Sequence, residues 1–77
     1  MRVSTCIKVS IRRGETHYIA ECLELPVVTQ GRTLDETLAN LREAVSLFLE
    51  GEDLSTFGLA DGLSLFILFE APLADAA

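Results

Sequence analysis

The chain has 77 residues, of which 49% are apolar, and it carries a formal net charge of −6. This composition excludes a disordered polymer, and the acidic balance disfavours nucleic-acid binding, which normally needs a basic surface. A domain of this length buries only about 60% of the surface that its unfolded chain would expose. We therefore expect one domain over residues 1–77, with oligomerisation as a source of added stability.

The first residues alternate and lack the long apolar run of a signal peptide, and no segment approaches the ~20 apolar residues of a membrane span. We therefore expect a cytoplasmic protein with no membrane partner. The two cysteines, Cys6 and Cys22, are expected to be free thiols. A reducing compartment disfavours a disulfide, and the alternation places the two residues on opposite faces of a hairpin.

Two-residue periodicity predicts a first strand over residues 3–12 and a second over residues 16–23, joined as an antiparallel hairpin by a turn at residues 13–15. Cys22 then shares a face with Tyr18 and Ala20. Residues 27–29 predict a short third strand. In the turn that follows, we expect Gly31 to adopt a conformation that a side chain would resist.

Thr33 is the predicted N-cap of a helix, and Glu36 stands three residues later, which is the spacing of a capping box. The helix presents one apolar stripe and is predicted to end at Gly51. The stripe consists of Leu34, Leu38, Leu41, Val45 and Phe48. A loop with a helical turn after Asp53, a last strand over residues 63–70 and a frayed tail over about 72–77 complete the chain.

The predicted fold is therefore α+β, with the order β-β-β-α-β and one helix packed on one face of the sheet. The last strand has large apolar residues on both faces and is predicted to be buried on both. One helix covers only one face, so we expect a homo-oligomer, dimer or tetramer, or a partner protein on the other. The residues predicted to form this interface are Ile19, Glu21, Leu23, Glu24, Phe66 and Leu68.

The sequence offers little for catalysis, metal binding or a cofactor, and we expect a protein that is not an enzyme. His17 is the only histidine, and it has no evident partner for acid–base work. The order β-β-β-α-β is also the core order of ribonuclease H-like nucleases, which hold two metal ions with acidic residues, one of them on the first strand. Residues 3–12 contain no Asp or Glu, which makes a vestigial nuclease the least favoured alternative.

Several short motifs follow one another between residues 18 and 50: Tyr18-Ile19-Ala20, Glu24-Leu25-Pro26, Thr29-Gln30-Gly31, Thr33 through Glu36, and Ala39-Asn40-Leu41-Arg42-Glu43-Ala44 with Leu47 and Leu49-Glu50. Their combination, which covers about half of the chain, resembles the HicB family of antitoxins, including the short HicB-like proteins. The resemblance implies a degenerate ribonuclease H-like fold without nuclease activity. It also implies a partner, the HicA toxin, which is a small basic ribonuclease that cleaves messenger RNA.

The chain departs from the family pattern in two places. Val27 stands where family members often have Gly. Many relatives also carry a C-terminal DNA-binding domain, whereas this sequence ends soon after the last predicted strand, so no direct DNA binding is expected. The alternative to an antitoxin that neutralises a HicA-type toxin is a free-standing oligomeric relative that binds another protein or a small ligand.

Overall fold

The structure, a computed structural model, describes residues 4–74. Its elements are β1 (Ser4–Arg13), β2 (Tyr18–Cys22), β3 (Val28–Gly31), α1 (Leu34–Leu49), a 3₁₀ turn (Leu54–Phe57) and β4 (Leu59–Glu70). The predicted order β-β-β-α-β is confirmed, as is the helical turn after Asp53, whose carboxylate caps it. The predicted strand residue Val3 and the tail residues 75–77 lie outside the described part.

The four strands form one mixed sheet in the order β3-β2-β1-β4. β1 pairs antiparallel with β2, and β2 pairs antiparallel with β3, so the predicted hairpin is confirmed. β4 lies on the other side of β1 and runs parallel to it. The coarse fold class, an α+β domain with one helix, is therefore confirmed.

One face of the sheet packs against α1 and forms the core. Its buried apolar residues are Ile7, Val9, Ile11, Ala20, Cys22, Leu25, Val27, Leu41, Val45 and Leu59. Burial of each larger side chain contributes about 1.5–3 kcal/mol. Within the predicted helical stripe, Leu41 and Val45 are buried and Leu38 and Phe48 are half-buried, but Leu34, the first residue of α1, is exposed.

The N-terminus of α1 departs from the predicted capping box in one bond. As predicted, the Thr33 hydroxyl accepts a hydrogen bond from the Glu36 N–H at 3.0 Å. The Glu36 carboxylate, however, accepts from the N–H of Arg32 at 2.9 Å instead of the N–H of Thr33. At the other end, Gly51 follows the last helical turn with φ of 76°, a left-handed conformation that favours glycine, as expected.

Gly31 leaves no room for a side chain, for a reason that the sequence did not reveal. Its φ is not positive, so the restriction comes from a close approach and not from backbone strain. A Cβ at this position would lie 2.6 Å from both the backbone nitrogen and the Oγ1 of Thr37. Thr37 is fully buried, and its hydroxyl donates to the Thr33 carbonyl at 2.7 Å. The first turn of α1 therefore sits directly on the end of β3.

The predicted start of the last strand was wrong. β4 begins at Leu59 and not at residue 63, with an irregular register before Ser64, where Gly62 adopts φ of 79°. Within this one chain, Phe66 and Leu68 on one face are 54% and 56% exposed and Phe69 on the other is 43% exposed, so the burial of both faces that was expected from a second chain or a partner stays a prediction. Within residues 4–74, no helix has the length and apolar character needed to cross a bilayer.

Candidate binding surface

The pairing registers place four of the six predicted interface residues on the sheet face opposite α1, which we call the helix-free face. Along β1, Ile7, Val9 and Ile11 point to the core, so the residues between them point away. The outward positions of β1 pair with Phe66 and Leu68 of β4 and with Ile19 and Glu21 of β2. Cross-strand partners share a face of the sheet.

The other two predicted residues, Leu23 and Glu24, lie just beyond the end of β2. The Leu23 N–H donates to the Lys8 carbonyl at 2.9 Å, which continues the pairing by one residue. The Glu24 carboxylate accepts from the Lys8 backbone N–H at 2.9 Å and from Lys8 Nζ at 3.0 Å. All six residues therefore belong to the helix-free face or its margin.

The six residues do not form one contiguous patch. Phe66 and Leu68 lie on the edge strand β4, whereas Ile19 and Leu23 lie on the far side of β1. The two groups are two strand spacings apart, about 10 Å. Between them run outward-facing residues of β1, namely Cys6, Lys8, Ser10 and Arg12. The helix-free face thus divides into an apolar strip along β4 and a mixed strip along β2 and β3.

The acids of the mixed strip are already paired. Glu24 forms its ion pair with Lys8, and a Glu21 carboxylate oxygen lies 3.6 Å from Arg12 Nη1. Burial alone would raise the pKa of the Glu24 carboxyl, but the hydrogen bonds from Lys8 outweigh it and lower that pKa. The hydrogen bond to Glu24 in turn raises the pKa of Lys8.

Glu21 and Glu24 are therefore exposed acids that each lie beside a cation of β1. Their two charges are balanced by Lys8 and Arg12, the two cations that β1 presents on this face, so this part of the helix-free face is close to neutral. The acidic excess of the chain lies elsewhere. Exposed acids on α1 and the segment after it are Asp35, Glu36, Glu43, Glu50, Glu52 and Asp53.

Sequence reasoning missed two features of the surface. Val28 pairs with Glu21 and therefore lies on the helix-free face, where it is 62% exposed. Adjacent residues of an extended chain point to opposite sides, so a buried Val27 would have indicated that Val28 points outward. The second feature is a groove of about 570 Å³ between α1 and β4, which we call the α1–β4 groove. Its apolar lining consists of Ile7, Leu38, Val45, Leu49, Leu63, Leu65 and Ile67.

The remaining reactive side chains are dispersed. Within residues 4–74, no three His, Cys, Asp or Glu side chains are arranged to hold a metal ion. Cys6 and Cys22 are both free thiols, and burial raises the pKa of Cys22. His17 Nδ1 lies 2.7 Å from the hydroxyl of its neighbour Thr16.

The chain matches no protein-family model, no curated protein and no solved structure. Its fold and surface define a small α+β domain with one sheet face covered by a helix and the other uncovered. The central strand supplies cations to that uncovered face, and exposed apolar side chains lie on either side of it, Phe66 and Leu68 on β4 and Leu23 and Val28 beyond β2 and on β3.

Proposed function

We propose that the chain is a HicB-like, non-catalytic binding module that acts in the cytoplasm and neutralises a HicA-type, messenger-RNA-cleaving toxin by protein–protein contact. The observation that carries the proposal is the uncovered mixed strip of the helix-free face. There the apolar side chains of Leu23 and Val28 are each 62% exposed and flank the charged pair of Arg12 and Glu21. Protein interfaces combine exposed apolar side chains with neighbouring polar and charged groups.

The topology supports a degenerate ribonuclease H-like fold. Three antiparallel strands, a helix and a fourth strand parallel to the first follow the element order of that fold. The first strand of an active nuclease in this class supplies a metal-binding acid, whereas β1 (Ser4–Arg13) contains no Asp or Glu. The combination favours a binding role over hydrolysis.

Charge supports a basic partner. The chain carries a net charge of −6, and opposite charge on a small basic ribonuclease would accelerate their encounter. The Arg12–Glu21 pair is more than half exposed on both sides and is therefore worth at most about 1 kcal/mol. Glu21 can exchange Arg12 for a cation of the partner at small cost. Glu24 is less free to do so because it also holds the backbone of Lys8.

The test uses any small basic HicA-type ribonuclease that is found to be encoded beside this protein in its genome. Messenger-RNA cleavage by the ribonuclease is measured while the protein is titrated, and affinity is measured by calorimetry. Glu21→Lys should weaken binding at least tenfold, about 1.4 kcal/mol. Glu43→Lys, which makes the same charge change on the exposed side of α1, should have a much smaller effect. Unchanged cleavage at an excess of the wild-type protein would overturn the proposal, and equal effects of the two variants would overturn the assigned surface.

The exposed apolar residues of β4 favour the alternative, a free-standing oligomeric HicB relative that binds another protein or a small ligand. Phe66 and Leu68 lie outside the mixed strip. Binding of a toxin to the mixed strip would therefore not account for their exposure. The alternative gains support if no adjacent ribonuclease is encoded or if the encoded one does not bind.

A further inference from the structure

β4 is the edge strand of the described sheet, and its outer edge is not protected in the usual ways. It pairs only with β1, and it is the longest strand, with 12 residues. Edge strands are normally blunted by charges, prolines or bulges. Here Gly62 and Pro72 stand near the two ends, but residues 63–69 contain neither a charge nor a proline. This run therefore offers free backbone donors and acceptors on an apolar strand.

β4 is also incompletely covered on both faces. On the helix-free face, Phe66 and Leu68 are more than half exposed. On the other face, Phe69 is exposed, and Leu65 and Ile67 are only partly covered, at the floor of the α1–β4 groove. A partner lying on one face would leave the opposite face and the backbone edge open. A partner strand added to the edge would pair with the backbone of β4 and would also contact the apolar side chains on both of its faces.

We propose that this partner strand is β4 of a second copy, paired antiparallel so that the two sheets form one continuous eight-stranded sheet. The two-fold axis would pass beside Phe66, the middle residue of the uncharged run. Phe66 would then face the partner's Phe66 on the helix-free face, and Leu65 would face the partner's Ile67 on the other. Both helices lie on the same side of the joined sheet, so the two α1–β4 grooves meet above the paired strands.

Charge favours a second copy over a basic protein at this edge. Two copies with a net charge of −6 repel each other wherever their acids approach. Residues 63–69 carry no charge, and the nearest acids of β4, Asp61 and Glu70, lie outside this run. Two copies that pair along residues 63–69 therefore avoid most of that repulsion. A basic partner would gain no electrostatic attraction there. With the two-fold axis at Phe66, the opposed residues of the run are apolar on both sides except that Ser64 faces the partner's Leu68, and the same patch serves both copies, as in an isologous interface.

The inference is independent of the proposed function, because it needs no ribonuclease and uses a different strip of the surface. Sedimentation velocity at micromolar concentration should give the wild-type protein twice the 8.4 kDa mass of the chain. Phe66→Glu places two like charges directly opposite each other at the axis and should halve the mass. Val28→Glu makes the same change at an equally exposed apolar residue on the opposite edge strand, and it should remain dimeric.

Disulfide trapping tests the register. Directly opposed residues of an antiparallel pair have Cα atoms about 4.5–5.5 Å apart, within the range of a disulfide. In a Cys6→Ser background, mild oxidation should cross-link Phe66→Cys into a dimer and should leave Val28→Cys uncross-linked. A wild-type protein that sediments as a folded 8.4 kDa monomer would overturn the inference. So would dissociation by Val28→Glu alone, or cross-linking at residue 28 without cross-linking at residue 66.

Discussion

The carboxylate of Glu24 accepts two hydrogen bonds from Lys8, one from its backbone N–H at 2.9 Å and one from Nζ at 3.0 Å. β2 ends at Cys22, and Leu23 supplies the last backbone donor to β1 through the Lys8 carbonyl. The Lys8 N–H, which also points toward β2, donates to the carboxylate of Glu24 and not to a backbone carbonyl of the neighbouring strand. One carboxylate therefore completes the end of the β1–β2 ladder and neutralises the adjacent cation.

Replacement of Glu24 by alanine should lower the free energy of unfolding by about 1 kcal/mol, because the Lys8 N–H loses its protein acceptor and can recover only a water. Urea unfolding followed by circular dichroism measures the change. Glu21→Ala is the matched control, since it removes only the exposed pair with Arg12 and should cost less than about 0.5 kcal/mol. Equal costs for the two variants would contradict a structural role for Glu24.

The same carboxylate should make stability depend on pH in the acidic range. The folded state lowers the pKa of Glu24, so its stabilising effect is complete above the unfolded pKa, about 4.3, and is lost as the pH falls through the lower folded pKa. Glu24→Gln has no charge to lose at this site. Urea unfolding from neutral pH down to about pH 3 should show the advantage of wild type over Glu24→Gln shrinking as the pH falls. A constant difference would show that Glu24 does not titrate with folding.

The helix should be anchored by one face only. Leu41 is fully buried against the sheet, whereas Leu47 is 62% exposed. Leu41→Ala should cost about 2–5 kcal/mol through lost burial and a residual cavity. Leu47→Ala removes the same atoms from the same helix and should change stability by less than about 0.5 kcal/mol. Denaturant unfolding midpoints of the two variants are compared, provided that the slope of unfolding free energy against denaturant concentration is unchanged. Similar costs for Leu41→Ala and Leu47→Ala would show that the packed face of α1 has been assigned incorrectly.

Two glycines should resist substitution for different reasons. Gly51 has φ of 76°, and no heavy atom lies within 4 Å of the position that a Cβ would take there, so alanine should cost about 1–2 kcal/mol of backbone strain alone. At Gly31 the new methyl would meet Thr37 at 2.6 Å, and the helix would have to move away from β3. We expect a cost of about 3 kcal/mol for Gly31→Ala, at the upper end for overpacking. Thermal unfolding of both variants measures the difference, and a smaller loss for Gly31→Ala would refute the close approach.

The order of elements and the assignment of residues to faces could be predicted because both depend on local periodicity. Alternation in β1 separated Ile7 and Val9 from Cys6, and Thr33 and Gly51 carried recognisable signals for the two ends of the helix. These patterns need only a few neighbouring residues to be visible. For that reason the paired faces of the hairpin were predicted correctly.

Features that depend on distant parts of the chain could not be predicted. Helical periodicity shows which side of α1 is apolar, but it does not show which strands that side covers, so the α1–β4 groove was missed. The Lys8–Glu24 pair joins residues on two sides of a turn whose path the sequence does not reveal. Thr37 is a polar residue in a buried position, and its burial follows from the contact with Gly31, which propensity alone does not indicate.

The placement of β1 between β2 and β4 has a consequence for folding during synthesis. The ribosome releases β1, β2, β3 and α1 before β4, so the hairpin and helix can associate while one side of the central strand still lacks its neighbour. Closing that side brings together the two segments farthest apart in the described sequence, and contacts of long sequence separation form slowly. Until β4 arrives, the nascent domain displays an open strand that invites misassociation with other chains.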